Sequence, residues 1–385
     1  CHGHAVPAAG TGLVIGALAR LQRRHVALVL ALGLAGLSLA LWACLRLREP
    51  GIRSPFSDLH PTEVVASRPF ICPALPDPVV DLKMPSKYRS DDSKRETIDP
   101  ENAAGYEELS SPIYGFMNEI SDASDLVVRT HGRQQDAADC AITGLRRWAE
   151  AGAMLGESNG IGDAVRKWEL ASAALAYLKL RNEVDIAAAD RAAIESWLRR
   201  LALRVRKVYG SDLQLNSRNN NHVYWAAWGV TAAGLALNDQ GFIDWGRAVY
   251  RRALKQIEPD GTLPLETGRG SRALQYHIFA IAPLVAIAET GAVNGLDLYR
   301  EHDSALLRLI DRTLSGLDDP SWFAAKADAP QLLESAVSSA NLAWLEFYNR
   351  RFADPRAERW LQELRPMRQR RLGGNLTALL AAGSG

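Results

Sequence analysis

A helical period in the apolar residues, sustained from about residue 111 onward, most constrains the fold of this chain. The clearest stripe is Val165, Trp168, Ala171, Leu175 and Leu178, whose spacing of three and four places them on one helix face. Comparable segments lie near 142–153, 194–205, 222–238, 241–257, 272–290, 303–315, 331–350 and 355–364. The alternating pattern typical of strands is not found. Residues 111–385 therefore predict an all-α domain: a bundle, a solenoid or a toroid of helical hairpins.

Residues 46–110 lack this period and are rich in Pro, Asp and Ser. The prolines that interrupt any long helix here include Pro69, Pro73, Pro76, Pro78, Pro85 and Pro100. An irregular segment of this length in a compact domain is usually functional or disordered. We therefore expect an irregular N-terminal arm ahead of the helical domain.

The first 45 residues resemble an export signal. Basic residues at 20–25 precede an uncharged run from Val26 to Leu45, and Ser38 and Ala40 are small residues near its end. This pattern is typical of a secretory signal peptide, here with cleavage after Ala40. The run is also long enough for a membrane anchor, and residues 41–44 are a weak match to a lipoprotein box. We expect a periplasmic protein, with a membrane-anchored form left open.

Overall charge limits the kinds of partner. Lys and Arg number 45 and Asp and Glu 44, so the formal net charge is +1. This balance argues against a nucleic-acid partner bound through bulk charge. It still allows a local basic cleft for an acidic polymer.

Two cysteines, Cys72 and Cys140, lie beyond the predicted signal. An oxidising compartment allows them to form a disulfide that ties the arm to the helical body. Two unpaired, partly buried thiols are the alternative.

Two polar strings stand out from the helical pattern. The first runs from Asn219 through three asparagines to His222, Tyr224 and Trp225. One asparagine suffices to cap a helix, and a helix N-terminus is also a favourable seat for a carboxylate. The string therefore predicts either a plain cap or a polar site.

The second string, Glu266 to His277, places Arg269 on a glycine-containing loop that leads into a helix. Arg269 and Tyr276 are seven residues apart, so they share a face over two turns if the helix begins early enough. A solvated arginine and a core tyrosine would be the structural alternative.

Together the strings resemble the alginate lyases of polysaccharide lyase family five. Asn-Asn-His-x-Tyr-Trp is present at 220–225, and Arg-x-x-Arg-Ala-Leu-x-Tyr-His at 269–277. The interval of 54 residues from His222 to Tyr276 is also similar to the family's (276 − 222). Further similar segments are 86–88 with Arg95, the contexts of both cysteines, 166–168, 293–298 and 371–374. The resemblance covers roughly residues 70 to 380.

The resemblance implies an α/α toroid, an incomplete barrel of helical hairpins, with a deep cleft that binds alginate and requires no metal or other cofactor. It implies that Asn221, His222 and Arg269 hold the substrate carboxylate and that Tyr276 is the acid and base. Lys87, Tyr88 and Arg95 would belong to a mobile lid that meets the substrate. Further candidates for substrate contact are Arg272, Tyr224, Trp225 and Trp148, although the helical pattern alone places Trp148 in the core.

The expected reaction is β-elimination, in which the C5 proton of a uronate is removed and the bond to O4 breaks. Hydrogen-bond donors and a cation at the carboxylate stabilise the charge that develops. A tyrosine pKa of about 10 is poor for a base, so either Arg269 favours the phenolate of Tyr276 or the proton transfers are concerted. In β-D-mannuronate the C5 hydrogen and O4 lie on the same side, so one tyrosine can serve both. This predicts a preference for mannuronate over guluronate.

Two other functions remain open at this point. A toroid glycoside hydrolase would need two carboxyl groups, and Asp260 and Glu266 are the nearest pair to consider. A non-catalytic periplasmic protein that guides alginate to export would bind polymer without shortening it. Association with the alginate export machinery is compatible with either role.

Overall fold

The structure is a computed structural model that describes residues 52–57, 69–210 and 219–380. The predicted signal peptide or membrane anchor, residues 1–45, lies outside the described residues. The helices, in chain order, are α1 (Pro100–Arg129), α2 (Gln135–Glu150), α3 (Gly160–Glu183), α4 (Ala188–Gly210), α5 (Asn221–Leu237), α6 (Gln240–Leu254), α7 (Pro264–Thr267), α8 (Ala273–Val293), α9 (Glu301–Asp318), α10 (Ser321–Ala327), α11 (Leu333–Ala336), α12 (Leu345–Phe352), α13 (Pro355–Leu364) and α14 (Leu376–Leu380). Two short strands, β1 (Arg368–Gln369) and β2 (Gly374–Asn375), pair antiparallel.

The helices form two layers. The inner helices α1, α3, α5 and α8 pack one against the next, and the outer helices α2, α4, α6 and α9 pack on them in turn. Helices α5 and α8 are apolar on all sides and almost wholly buried, as expected of core helices. Residues Gly270–Val293 are long and apolar enough to cross a membrane, but 78% of an 18-residue apolar part of this stretch is buried in the protein. The predicted α/α toroid is confirmed.

Polar residues begin the helices near the site. The Asn220 side chain caps α5 by accepting a hydrogen bond from the backbone N–H of His222 at 3.0 Å. Asp99 caps α1, and Pro100 occupies its first turn, where a missing N–H has no helical partner to lose. The predicted end of the irregular arm at residue 110 is therefore wrong, since α1 begins at Pro100 and continues through Pro112.

The single helix predicted over residues 331–350 is also wrong. Two short helices, α11 and α12, lie there instead, separated by turns. The Asn341 side chain donates hydrogen bonds to the backbone carbonyls of Ser335 and Ala336 at 3.2 and 3.1 Å. Such local capture of carbonyls competes with helical hydrogen bonding, which apolar spacing does not report.

The turn between β1 and β2 carries a 3-10 helix, Arg370–Leu372, that packs against α3 and α8. The buried ammonium of Lys179 pairs with Asp125 and donates to the backbone carbonyl of Gly373 at 2.7 Å. Asp125 also accepts from the backbone N–H of Asn375 at 2.7 Å. This buried network anchors the turn and places its arginines on the inner layer.

The described part of the arm runs over the helical body without a helix of its own up to Asp99. The Leu82 side chain is fully buried, and its backbone N–H donates to the Glu157 carbonyl at 2.7 Å. Cys72 and Cys140 form a disulfide with a Cα–Cα distance of 5.6 Å. The arm is therefore attached to α2 covalently and packed against the start of α3.

Candidate active site

A lid segment, residues 86–98, lies against the start of α8. Its two ends pair through an antiparallel bridge between Tyr88 and Ile98, and the Asp92 carboxylate accepts hydrogen bonds from backbone N–H groups at 94–97. The Glu96 carboxylate accepts from the backbone N–H and the hydroxyl of Ser271 at 2.6 and 2.8 Å. The lid is thus closed onto the loop between α7 and α8.

The lid also lies close to Tyr276. Tyr88 lies near Tyr276, and the Arg269 guanidinium lies 4.8 Å from the centre of the Tyr276 ring. Burial, followed by the effect of Tyr88, raises the pKa of Tyr276, and the opposing effect of Arg269 is smaller. Arg269 therefore does not make Tyr276 a phenolate in the protein alone, so of the two expectations the concerted transfer is favoured.

Asn221 is fully buried at the start of α5 and is held by Glu266, which is also fully buried. The Asn221 backbone N–H donates to Glu266 Oε1 at 2.7 Å, and Nδ2 lies 3.0 Å from both carboxylate oxygens. Arg269 Nε is 3.9 Å from Glu266 Oε2. Burial outweighs these contacts and raises the pKa of Glu266. The carboxylate therefore connects the two polar strings.

His222 lies beside two residues of α3. Its Nδ1 is 3.0 Å from the ammonium Nζ of Lys167, and its ring is stacked with Trp168 at a centroid distance of 6.2 Å. Lys167 is completely buried, whereas His222 is half-buried. The Nδ1 edge of the His222 imidazole is therefore held by residues of α3.

Cations and aromatic rings form a wall that continues from Trp168. The Arg371 guanidinium lies 4.7 Å from the centre of the Trp168 ring and 5.6 Å from that of Tyr114. Glu169, fully buried, accepts from both Arg370 and Arg371 at 3.0–3.1 Å. Burial opposes ionisation of Glu169, but the two arginines outweigh it and lower its pKa. The wall thus keeps an anchored cation beside the aromatic rings.

Lys87 adds a further cation from the lid. Its ammonium lies 4.3 Å from the centre of the Tyr106 ring, and the Tyr106 and Tyr114 hydroxyls are hydrogen-bonded. Burial lowers the pKa of Lys87, an effect that Glu107 opposes and Arg371 reinforces. The lysine and Arg371 therefore act on the same region, which favours a polyanionic ligand.

Several buried polar atoms at this site make no hydrogen bond within the described part of the chain. They are Asn221 Oδ1, Arg269 Nε and Trp168 Nε1. Buried polar groups are normally paired, and exceptions that cluster with strongly perturbed groups indicate a functional site. Among the described residues, no group of three or more His, Cys, Asp or Glu is placed to hold a metal ion.

The family model for alginate lyases matches residues 83–323, which include the lid and both polar strings. A polysaccharide lyase of Stenotrophomonas maltophilia is 34% identical over 330 residues, 84% of this chain and 96% of that protein. An alginate lyase of Azotobacter vinelandii is 36% identical over 329 residues, 83% of this chain and 86% of that protein.

The chain belongs to the alginate lyase family.

Solved structures of this family have the same fold. Alginate lyase A1-III from Sphingomonas species A1 superposes with a TM-score of 0.70 at 25% identity, covering 87% of this chain and 92% of that one. A variant of A1-III complexed with a tetrasaccharide gives a TM-score of 0.75 at 24% identity, covering 88% and 98%. The two-layer toroid is therefore shared over nearly the whole described chain.

Three aromatic residues predicted to contact alginate lie in the core instead. Trp148 is fully buried and stacked on Phe116 at a centroid distance of 3.9 Å. Trp225 donates its indole N–H to the Phe279 carbonyl at 2.9 Å, and the buried Tyr224 donates its hydroxyl to the Gln256 side chain. These predictions are corrected because the three rings pack in the core, and the polar atoms of Tyr224 and Trp225 are already hydrogen-bonded within the protein.

Two predicted arginines, one in the lid and one at the start of α8, hold the lid in place. Arg95 donates to the Ser86 hydroxyl and lies 6.0 Å from the centre of the Tyr88 ring. Arg272 donates from Nη1 to the Gln275 side chain at 3.0 Å, and its Nε is 3.4 Å from the Glu96 carbonyl. Both arginines therefore brace the closed lid, whereas Arg269 lies at the tyrosine.

Sequence reasoning missed the buried charged residues that hold the side chains of this alginate lyase site in place. Lys167 and Arg371 fall within strings noted only for their likeness to the family, and Glu169 directly follows the first of these strings. A signal was present, since Lys167 and Glu169 occupy the middle of a helix whose residues are otherwise largely apolar and buried. Buried charges without a function are uncommon. The sequence pattern indicates Glu266 only as a candidate hydrolase acid.

Proposed function

We propose that this protein cleaves the 4-O-glycosidic bond of poly-β-D-mannuronate by β-elimination and releases oligosaccharides with an unsaturated uronate end. The observation that carries the proposal is the place of the Tyr276 phenol: its ring centre lies 4.8 Å from the Arg269 guanidinium, and Glu266 joins Arg269 to Asn221. A phenol, a cation and carboxylate-binding donors at one cleft are what uronate elimination requires. Family membership and the alginate lyase names of its relatives support the substrate class.

The substrate carboxylate is bound by donors from Asn221, His222 and Arg269. Their hydrogen bonds strengthen as negative charge moves from C5 onto the carboxylate, so they stabilise the transition state more than the ground state. Asn221 Nδ2 donates to both oxygens of Glu266, which fixes the position of the amide beside Arg269.

Tyr276 transfers protons in both directions. Because the pKa of its phenol is raised, the group is protonated before substrate binds. Its oxygen accepts the C5 proton while its own proton passes to O4, the C4–O4 bond breaks, and a C4–C5 double bond forms. Both protons move on one side of the ring, which matches β-D-mannuronate and not guluronate.

The two carboxyl groups of the hydrolase alternative are engaged elsewhere. Asp260 lies in a turn, where it accepts from the Thr262 hydroxyl at 2.6 Å and pairs with Lys326 at 2.8 Å. Glu266 is enclosed and bound to Asn221. A glycoside hydrolase needs an acid and a second carboxylate on either side of the bond, so elimination is the better supported reaction.

The proposal includes export to the periplasm. Its support is the signal-like run from Val26 to Leu45, together with a Cys72–Cys140 disulfide that an oxidising compartment permits. Osmotic-shock fractionation tests the location, and recovery in the cytoplasm would contradict it. Association with the alginate export machinery is a further hypothesis, which co-purification from alginate-producing cells tests.

The reaction is tested by ultraviolet absorbance of unsaturated uronate with purified protein on poly-mannuronate and on poly-guluronate. We expect a rapid rise on poly-mannuronate, and a loss of about 10²- to 10⁴-fold in kcat for Tyr276→Phe. Tyr348→Phe is the matched control and should retain activity. It removes the hydroxyl of a tyrosine on α12 that donates to Asp354 in the loop after this helix. Folded protein that leaves both absorbance and reducing ends constant would refute the enzyme and leave polymer binding.

A further inference from the structure

We infer that Lys167 is a positioning residue for the reaction, because it holds His222 as the neutral tautomer that carries its proton on Nε2. The inference rests on the proposed function, since it concerns how His222 meets the substrate carboxylate. It assigns a specific task to a buried lysine on a helix that otherwise packs the core.

The surroundings of Lys167 hold its ammonium in one place. Nζ lies 3.0 Å from His222 Nδ1 and 3.2 Å from the Tyr209 hydroxyl. It also lies 4.3 Å from the centre of the Trp168 ring and 5.1 Å from that of Tyr209, distances at which aromatic faces stabilise a cation. The side chain has no exposed surface, so it cannot swing away into solvent.

The chemistry of the two groups decides where the histidine proton lies. An ammonium has three N–H donors and no acceptor, so Nδ1 of His222 must accept the hydrogen bond from Lys167. A neutral imidazole with an unprotonated Nδ1 carries its single hydrogen on Nε2. An imidazolium would set an N–H donor against the ammonium, so Lys167 also disfavours protonation of His222.

This tautomer is the one that carboxylate binding requires. Both oxygens of a carboxylate accept hydrogen bonds, so the ring nitrogen that meets the substrate must donate. The opposite tautomer would present a lone pair to the carboxylate and repel it. The Trp168 ring is stacked with the His222 imidazole and limits its rotation. Residues of α3 therefore set both which ring nitrogen carries the proton and how the ring is oriented.

The direct test is the protonation pattern of His222 in the wild-type protein. Two-bond ¹H–¹⁵N correlation spectra of histidine-labelled full-length protein distinguish the two tautomers and the imidazolium, with His222 assigned by His222→Gln. His277 supplies an internal reference of opposite tautomer, since its Nδ1 lies 2.7 Å from the Ala273 carbonyl while Nε2 accepts from the Leu263 N–H at 3.0 Å. We expect Nε2–H for His222 at neutral pH. Nδ1–H or imidazolium would overturn the inference, and this outcome does not depend on turnover.

Two variants separate positioning from stability. Lys167→Gln retains an N–H donor without charge, so the Nε2–H signature should persist and kcat should fall by less than about 10-fold. Lys167→Met removes the donor, so His222 should lose the signature and kcat should fall by about 100-fold with a smaller change in KM. A Lys167→Met protein that keeps the signature, or a Lys167→Gln protein that loses it while His277 is unchanged, overturns the inference. If neither wild type nor variants eliminate alginate, the proposed function fails while the tautomer remains measured.

Discussion

The Glu96 carboxylate on the lid accepts hydrogen bonds from both the backbone N–H and the hydroxyl of Ser271, two residues from Arg269. The loop between α7 and α8 can approach the Glu96 carboxylate because residue 270 is a glycine. Its φ is +56°, and a Cβ at this position would overlap the carboxylate. Lid closure and the position of the arginine beside Tyr276 are thus coupled through one contact.

Removing this contact should open the lid. A hydrogen bond to a charged group contributes about 1.5–3 kcal/mol, so Glu96→Ala should populate the open lid at least about 10-fold more. We expect faster trypsin cleavage within residues 86–98, where Lys and Arg are frequent, and a higher KM on poly-mannuronate. Limited proteolysis and initial rates measure the two effects.

Asp91→Ala is the matched control for the lid. Asp91 is exposed on the same segment and pairs with Arg89 at 2.7 Å, without contact to the loop before α8. Such surface pairs contribute little, so cleavage and KM should stay near wild type. Equal effects of the two substitutions would show that the Glu96 contact does not hold the lid.

The ionisation of Tyr276 should respond to its two neighbours in opposite directions. Tyr88→Phe removes a group that raises the pKa of Tyr276, so the phenol should ionise at lower pH than in wild type. Arg269→Met removes the opposing cation, so the pKa should rise further. Alkaline titration at the phenolate absorption band, with Tyr276→Phe subtracted, measures both. Ionisation of wild-type Tyr276 below the ordinary value of about 10 would contradict the assignment of a neutral phenol.

Glu266 should matter for turnover through Asn221. In Glu266→Gln an amide NH₂ replaces one of the two oxygens that Asn221 Nδ2 meets at 3.0 Å, so two buried donors face each other at a cost of about 1–3 kcal/mol. We expect kcat to fall by about 10- to 100-fold. Glu346→Gln is the control, because this buried acid binds Arg365 and Thr377 instead. It should lower the free energy of unfolding while kcat is retained.

His277 should make the stability depend on pH. Burial lowers its pKa from the ordinary 6.5 to about 4, while hydrogen bonds hold it to Ala273 and Leu263. The unfolded chain therefore binds more protons between these values, so stability is fully present above pH 6.5 and is lost as pH falls toward 4. The loss from this group is about 3 kcal/mol.

Urea unfolding at several pH values tests the role of His277. The difference between pH 7 and pH 5 should shrink in His277→Gln and remain in His131→Gln, which changes an exposed histidine. An unchanged pH dependence in His277→Gln would show that other groups account for it.

The disulfide should contribute to stability through the length of chain it closes. Cys72 and Cys140 are separated by 68 residues, for which loop closure corresponds to about 4 kcal/mol. We expect the double variant Cys72→Ser/Cys140→Ser to lose about this free energy of unfolding in urea. A reductant should destabilise the wild type and leave the variant unchanged, whereas equal stability of both proteins would refute the contribution.

Local pattern determined much of the architecture. The spacing of apolar residues predicted the helices of both layers because burial selects one face, or every face for α5 and α8. It failed where local polar chemistry competes with the helix, as at Asn341, and where proline is tolerated in a helical turn, as at Pro100 and Pro112. The polar strings around His222 and Tyr276 could be recognised in the sequence because they contain more polar residues than a helix cap or a packed core requires.

The sequence alone determined the helical class, the family and the polar strings that carry the site, since these depend on residues close together in the chain. Only the tertiary structure decided which buried charges support them. Lys167 reaches His222 across 55 residues and Arg371 reaches Glu169 across 202, distances that no local pattern encodes. The fold also decided that Trp148 and Trp225 belong to the core and that the pKa of Tyr276 is raised, because desolvation depends on everything packed around a group.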